Sequence, residues 1–121
     1  MLHNENLKEI IEPILKHLEN NVGFTEMLPK PIPEDKGDGK YAYFTYYVYD
    51  EEIKGIYKLA TDRNYLDNFE AMGNKLIADM TKQEAVTVLT FIIRQERFFE
   101  GLLAVSIEEG RVQQILKKLM E

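Results

Sequence analysis

The sequence predicts a mainly α (α+β) fold with about five helices and one aromatic strand or a minimal sheet. Three observations predict it: an apolar stripe with helical spacing near the start, a run of aromatic and β-branched residues at 41–49, and an apolar last third that opens on a helix-start motif. The 121 residues suffice for a single domain spanning 1–121 and leave no room for a second of ordinary size.

The first helix is predicted at 6–20. Its apolar side chains recur with helical spacing and are Leu7, Ile10, Ile11, Ile14, Leu15 and Leu18. Because Pro13 lacks a backbone donor, we expect either a kink there or a helix that begins near it. Asn20 and Gly23 favour the end of the helix. The polar segment 24–40 contains several prolines, and we expect it to be an exposed connection.

The middle of the chain is predicted to contain one strand and two helices. Aromatic and β-branched residues dominate 41–49, which favours a strand. Helices are predicted at 51–63, with Asp50 as the N-cap, and at 69–79. A short extended piece is expected between them at 65–66.

The last third is predicted to form two helices, at 82–100 and at 111–120. Thr81 and Glu84 have the spacing of a capping box, and an apolar run follows them. Gly110 is a natural stop between the two helices.

The composition excludes several kinds of site. The sequence contains no cysteine, which rules out disulfides, thiolate metal sites and cysteine nucleophiles. Two histidines are too few for a histidine-dominated metal site, and no catalytic motif is complete. We therefore predict no catalytic residues, no metal ligands and no cofactor. The net charge of −6 argues against a nucleic-acid or membrane partner. The start of the chain does not follow the pattern of a signal peptide, so we expect a cytoplasmic protein.

A cluster of charges forms the candidate ligand-binding site, which consists of Arg94, Glu96, Arg97 and Glu100. On a continuous helix, Glu96 and Glu100 fall within the apolar arc, one turn apart. The polar arc of the same helix holds Thr87, Thr90, Arg94 and Arg97. A carboxylate in an apolar setting requires a cation, a backbone donor, a proton or a metal ion. Three accounts stay open: an internal ion-pair network in which Arg97 bonds Glu100, a small-ligand pocket, and a metal or acid–base site.

Four tyrosines share one face of the predicted strand and form a candidate interface: Tyr41, Tyr43, Tyr47 and Tyr49. Lys40 is the only basic residue directly beside them, and Asp50, Glu51 and Glu52 follow, so base stacking is less favoured than contact with a protein. Tyrosine is enriched at protein interfaces, and a strand with at most one short partner leaves unpaired backbone groups at its edge. We therefore expect a homo-oligomer, with a dimer as the simplest form.

The C-terminal half also carries a specific series of segments: Thr90-Phe91-Ile92-Ile93-Arg94, Glu96-Arg97-Phe98, Glu100-Gly101-Leu102-Leu103-Ala104, Ile107-Glu108-Glu109-Gly110 and the tail 112–119. In these segments, and more loosely at 46–53, the chain resembles an uncharacterised family of small bacterial proteins, a domain of unknown function. The resemblance covers roughly 43–119. It implies a fold and no function.

Two functions from different classes follow from the sequence. The favoured one is a non-catalytic, small cytoplasmic interaction module that self-associates. The alternative is a small-ligand-binding protein or enzyme that uses Glu96, Glu100 and Arg97. The first is preferred because nothing in the sequence supplies a paired base and nucleophile.

Overall fold

The computed structural model describes residues 4–27, 32–33, 41–42 and 45–121. In chain order the elements are α1 (Asn4–Asn20), β1 (Phe24–Met27), β2 (Ile32–Pro33), β3 (Tyr41–Ala42), β4 (Tyr46–Tyr49), a long 3₁₀ helix (Glu51–Leu59), α2 (Tyr65–Met72), a short 3₁₀ helix (Ile77–Asp79), α3 (Lys82–Gln95), α4 (Leu102–Glu108) and α5 (Arg111–Leu119). The predicted mainly α (α+β) class is confirmed. Within this described part of the chain, no helix has the length and apolarity needed to cross a membrane.

The hydrophobic core lies between α1, the long 3₁₀ helix and the C-terminal helices. Its fully buried side chains come from all of these elements and include Ile11, Ile14, Ile53, Ile56, Leu89, Leu103, Ile115 and Leu116. The helix predicted at 6–20 is confirmed as α1, which continues through Pro13. Because Pro13 is exposed, the carbonyl that loses its helical partner can be hydrated instead.

The helix predicted at 51–63 is a 3₁₀ helix that ends at Leu59. Its buried residues are Ile53, Ile56 and Leu59, a spacing of three that matches the three residues per turn of this helix type. Gly55 permits close contact with α1, since a Cβ there would lie 3.3 Å from Cγ2 of Ile10.

The β-strands form two antiparallel ladders of two strands each. In the first ladder β1 pairs with β4, with Phe24 opposite Tyr49 and Met27 opposite Tyr46. In the second ladder β2 pairs with β3. The predicted strand at 41–49 is therefore found at both of its ends, and residues 43–44 lie outside the described residues. The expectation of an exposed connection throughout 24–40 is wrong for β1 and β2.

Helix α2 begins at Tyr65, so the extended piece predicted at 65–66 is wrong. The helix predicted at 69–79 starts earlier and ends at Met72, because Gly73 adopts a left-handed backbone with φ of +63°. Helix α2 packs on α3 through Phe69 and Phe91, whose rings stack with centroids 3.9 Å apart.

The predicted capping box at the start of α3 is confirmed, because Thr81 and Glu84 exchange both of its hydrogen bonds. The predicted extent of 82–100 is wrong at its end, since α3 stops at Gln95 and α4 is a separate helix. The terminal helix predicted at 111–120 is confirmed as α5, which follows Gly110.

Candidate functional site

The turn between α3 and α4 is organised by the carboxylate of Glu96. Its Oε1 accepts a hydrogen bond from the backbone N–H of Leu103 at 2.7 Å, and its Oε2 accepts one from Gly101 at 3.1 Å. The hydroxyl of Tyr49 donates to Oε2 at 2.7 Å. These four residues, here called the Glu96 junction, connect the end of α3, the start of α4 and strand β4. The first backbone N–H groups of a helix have no acceptor within the helix, and the Glu96 carboxylate supplies one for Gly101 and Leu103 at the start of α4.

The Tyr49 hydroxyl extends the same network into α4. While donating to Glu96, it accepts a hydrogen bond from the backbone N–H of Ala104 at 3.2 Å. Burial of the ring and the hydrogen bond to Glu96 raise the pKa of Tyr49 above its usual value. The hydroxyl therefore stays protonated at neutral pH and remains a donor.

The chain reverses between α3 and α4 at Gly101, which has a φ of +89°. A Cβ at this position would lie 2.4 Å from Cε2 of Tyr47, so the tyrosine ring occupies the space that a side chain needs. The backbone N–H of Tyr47 donates to Oε1 of Glu100 at 3.3 Å. The strand thus packs directly against the turn.

The ion pairs expected around Glu96 and Glu100 are wrong within the described residues. Glu96 is held by backbone donors and a tyrosine, and Arg97 pairs with neither carboxylate. The guanidinium of Arg97 lies instead over the ring of Phe98, 4.6 Å from its centroid. The helical wheel placed Glu100 in the apolar arc, but Glu100 is exposed because the helix has already ended.

A pocket of about 720 Å³ opens between the polar arc of α3 and the segment that leads into α2. Its lining residues are Ala60, Thr61, Asp62, Arg63, Tyr65, Ile93, Arg94 and Arg97. The volume is in the range of pockets that bind small molecules. We call it the arginine pocket. It contains two of the four residues in the predicted ligand site, Arg94 and Arg97, and excludes the two glutamates.

The lining of the arginine pocket is cationic in a chain of net charge −6. It includes three arginines, Arg63, Arg94 and Arg97, and a single acidic residue, Asp62. Among the described residues, none of the three arginines forms an ion pair, so no carboxylate of this part of the chain neutralises their charge.

The Asp62 carboxylate does not neutralise these arginines, because other groups occupy its oxygens. It accepts hydrogen bonds from the backbone N–H of Asn64 at 2.9 Å, from the amide of Asn68 at 3.0 and 3.2 Å, and from the hydroxyl of Thr87. Burial alone raises the pKa of Asp62, but these hydrogen bonds outweigh burial and hold it below its usual value. Asp62 is thus an ionised residue that holds the 60–65 part of the lining in place.

The polar arc of α3 is partly an interior surface. Thr87 and Thr90 are buried, and the hydroxyl oxygen of Thr90 accepts a hydrogen bond from the backbone N–H of Asp62 at 3.3 Å. These contacts hold the 60–65 segment against α3. Tyr65 forms one wall of the pocket, and its hydroxyl accepts a hydrogen bond from the amide of Gln95 at 3.1 Å. With Ile93 it adds apolar surface beside the cations.

The two faces of β4 differ in exposure. Tyr47 and Tyr49 lie on the face that contacts the α3–α4 turn and are half-buried, whereas Tyr46 and Val48 are 40% and 49% exposed on the other face. Of the four tyrosines in the predicted interface, these two therefore face inward. The side chain of Tyr41 and the whole of Tyr43 lie outside the described residues.

A family of unknown function, DUF6508, matches residues 2–121, which is nearly the whole chain. The chain belongs to the DUF6508 family. The description of the family assigns no activity, so membership establishes a relationship and no chemistry. Neither a curated protein nor a solved structure matches the chain significantly.

In this DUF6508 protein, the sequence-based site divides into two parts with different surroundings. Glu96 and Glu100 lie on the β4 side of the α3–α4 turn, while Arg94 and Arg97 line the arginine pocket. Sequence reasoning missed Arg63, Asp62 and Tyr65, which precede or begin α2 and reach the pocket only through the tertiary fold. No sequence pattern pointed to them, because the polar arc of α3 is equally typical of a surface that faces solvent.

Proposed function

We propose that this protein is a small, non-catalytic binding protein for an organic anion, which it holds in the arginine pocket. The observation that carries the proposal is the convergence of Arg63, Arg94 and Arg97 on one pocket in an acidic chain. Guanidinium groups present paired donors that match carboxylate and phosphate oxygens. The proposed ligand therefore carries a phosphate or carboxylate group.

The remaining lining supports an organic ligand in preference to an inorganic ion. A volume of about 720 Å³ exceeds what one phosphate needs. Tyr65 and Ile93 offer an aromatic ring and an aliphatic surface beside the cations. A ligand that joins a phosphate or carboxylate to an aromatic or aliphatic group can contact the arginines with its anion and Tyr65 and Ile93 with the rest of the molecule. Binding is favoured over catalysis because the carboxylate of Asp62 and the hydroxyl of Tyr65 are already engaged by hydrogen bonds from other residues of the protein.

We expect phenyl phosphate to bind the parent protein, and Arg94→Gln or Arg97→Gln to weaken that binding by about tenfold to a hundredfold each. These factors correspond to the loss of one hydrogen bond to a charged group. Isothermal titration calorimetry measures the dissociation constants. Both arginines are exposed, so both variants are expected to fold.

Two controls sharpen this titration. Arg111→Gln removes an arginine that pairs with Glu109 outside the pocket, and it should leave binding unchanged. Benzyl alcohol, which carries the ring without the anion, should bind much more weakly than phenyl phosphate. Equal weakening in Arg111→Gln, or equal binding of benzyl alcohol, would contradict the proposal.

A second proposed property is self-association as a homodimer through the outer face of the β1–β4 ladder. Tyr46, Val48 and Met27 leave an apolar surface exposed there. In the described residues β1 and β4 pair only with each other, and β4 also meets the α3–α4 turn through the N–H of Tyr47. The edge of β1 is therefore the one that a second copy could pair with. Pairing of two identical edges closes as a symmetric dimer.

The location expected from the sequence, the cytoplasm of a bacterium, remains part of the proposal and agrees with the absence of cysteine.

We expect sedimentation to give a dimer mass for the parent at high micromolar concentration and a monomer mass for Val48→Lys. This lysine places a charge on the apolar outer face that the dimer would bury. Val105→Lys is the matched control, because Val105 is similarly exposed, at 45%, but lies on α4. A monomeric parent, or a dimer that survives Val48→Lys, would contradict this interface.

A further inference from the structure

Away from the arginine pocket, three side chains with metal-binding atoms converge where α1 meets the long 3₁₀ helix. Nε2 of His17 lies 2.9 Å from Oδ2 of Asp50 and 3.6 Å from Oε2 of Glu52. All three donor atoms lie within 4.8 Å of one another. We call these residues the His17 cluster.

The geometry points to a binding site for a divalent transition-metal ion such as Zn²⁺, formed by His17, Asp50 and Glu52. Zinc binds imidazole nitrogen and carboxylate oxygen at about 2.0–2.2 Å, so neighbouring donors around it lie roughly 3–3.5 Å apart. The two measured separations bracket that spacing. Three protein ligands of this kind leave a coordination position for water.

The burial of the cluster suits such an ion. The side chain of His17 is 17% exposed, that of Asp50 is 35% exposed and that of Glu52 is 59% exposed. The imidazole is therefore fixed in position while one side stays open to solvent. An ion can enter from the Glu52 side and retain its water there.

Asp50 shows that the cluster is more than a helix cap. It occupies the N-cap position of the long 3₁₀ helix but makes no side-chain capping hydrogen bond. Its carboxylate turns instead toward His17 on α1. The nearest basic side chain in the sequence, Lys54, pairs with Glu51 at 2.7 Å. Two carboxylates facing one imidazole carry an excess of negative charge, which a divalent cation compensates.

Coordination uses the lone pair of Nε2 of His17 in the neutral ring, in which Nδ1 carries the proton. The nearby amide of Asn21 donates to the backbone carbonyl of His17 at 3.0 Å. Because Asn21 is exposed, water can reach Nδ1 and accept its hydrogen bond. Water is one of the partners that orient metal-binding imidazoles.

The test compares melting temperatures with and without ZnCl₂. At a zinc concentration about a hundred times the dissociation constant, the parent is expected to melt on the order of 5–10 °C higher. His17→Gln should abolish this rise, whereas His3→Gln, which removes the other histidine of the sequence, should retain it. A rise that survives His17→Gln, or no rise in the parent, overturns the site.

Glu52→Gln provides an independent variant, since its exposed side chain is not needed for folding. Calorimetric titration with ZnCl₂ should show zinc affinity weakened by at least about tenfold in this variant. Loss of a residue that only hydrogen-bonds a metal ligand already weakens metal binding by about this factor, so loss of a ligand should cost at least as much. Unchanged affinity in Glu52→Gln would remove Glu52 from the site and overturn the three-ligand assignment. Titration with MgCl₂ should give no comparable heat, because an imidazole ligand favours zinc over magnesium.

Discussion

Glu96→Ala is expected to lower the free energy of unfolding by about 2–4 kcal/mol, with a fall in melting temperature on the order of 10 °C. The substitution removes three hydrogen bonds to a carboxylate, those from Tyr49, Gly101 and Leu103. The two backbone donors at the start of α4 then lack an acceptor, and so does the half-buried Tyr49 hydroxyl. Chemical denaturation followed by circular dichroism measures the loss.

Two comparisons identify the cause of that loss. Glu96→Gln should be more stable than Glu96→Ala but less stable than the parent. Its amide oxygen can accept some of these hydrogen bonds, but its amide nitrogen faces at least one donor and cannot accept from it. Glu100→Ala should change stability by no more than about 0.5 kcal/mol, since Glu100 is exposed and accepts a single 3.3 Å hydrogen bond. If Glu96→Ala melts within a degree or two of the parent, the Glu96 junction does not hold the turn.

Gly101→Ala is expected to destabilise the protein by about 3 kcal/mol or more. Part of this cost comes from the left-handed backbone, which disfavours any residue with a Cβ by about 1–2 kcal/mol. The remainder comes from the ring of Tyr47, which lies 2.4 Å from the position of the new Cβ. Displacing that ring also disturbs the contact between β4 and α4.

Gly110→Ala separates the two contributions. Gly110 has a similar φ of +78°, also precedes a helix, and has no atom within 4 Å of its Cβ position. It should therefore show the backbone cost of about 1–2 kcal/mol alone. In a Tyr47→Ala background, Gly101→Ala should fall to the same cost. Equal destabilisation by Gly101→Ala and Gly110→Ala in the parent would show that the tyrosine contact is unimportant.

Much of the fold could be predicted from local sequence patterns. The stripe of α1 and the Thr81 capping box identify their helices because they depend on residues only a few positions apart. The segment 51–59 is the exception, because an α-helix was predicted where the structure has a 3₁₀ helix. On an α-helical wheel Tyr57 would share the buried side with Ile53 and Ile56, but it is 44% exposed.

The end of α3 could not be predicted in the same way. No local stop signal lies between Gln95 and Gly101, and the apolar pattern continues at Phe99. The helix ends because Glu96 accepts donors from α4 and from Tyr49, which is 47 residues away in the chain. A tertiary contact of this kind leaves no periodicity in the sequence. The inward orientation of Glu96 was correctly anticipated, but its partners were not.

Only part of the arginine pocket could be predicted from the sequence, for a related reason. Arg94 and Arg97 belong to the polar arc that the helical wheel identifies. Arg63 and Tyr65 join them because the hydrogen bonds of Asp62 to Asn68 and Thr87 fix the 60–65 segment against α3. Sequence spacing alone cannot bring together residues about 30 positions apart. The assignment of Asp62 to the pocket lining required the fold.

The most direct test of the central claim, that the arginine pocket binds an organic anion, is a titration of ¹⁵N-labelled protein with phenyl phosphate followed by NMR. The account predicts that the largest shifts fall on residues 60–65 and 93–97 and on the guanidinium Nε–H groups of Arg63, Arg94 and Arg97. The resonance of the Arg111 guanidinium should stay in place. Shifts spread evenly over all basic side chains, or centred on α5 and its lysines, would contradict the proposed site.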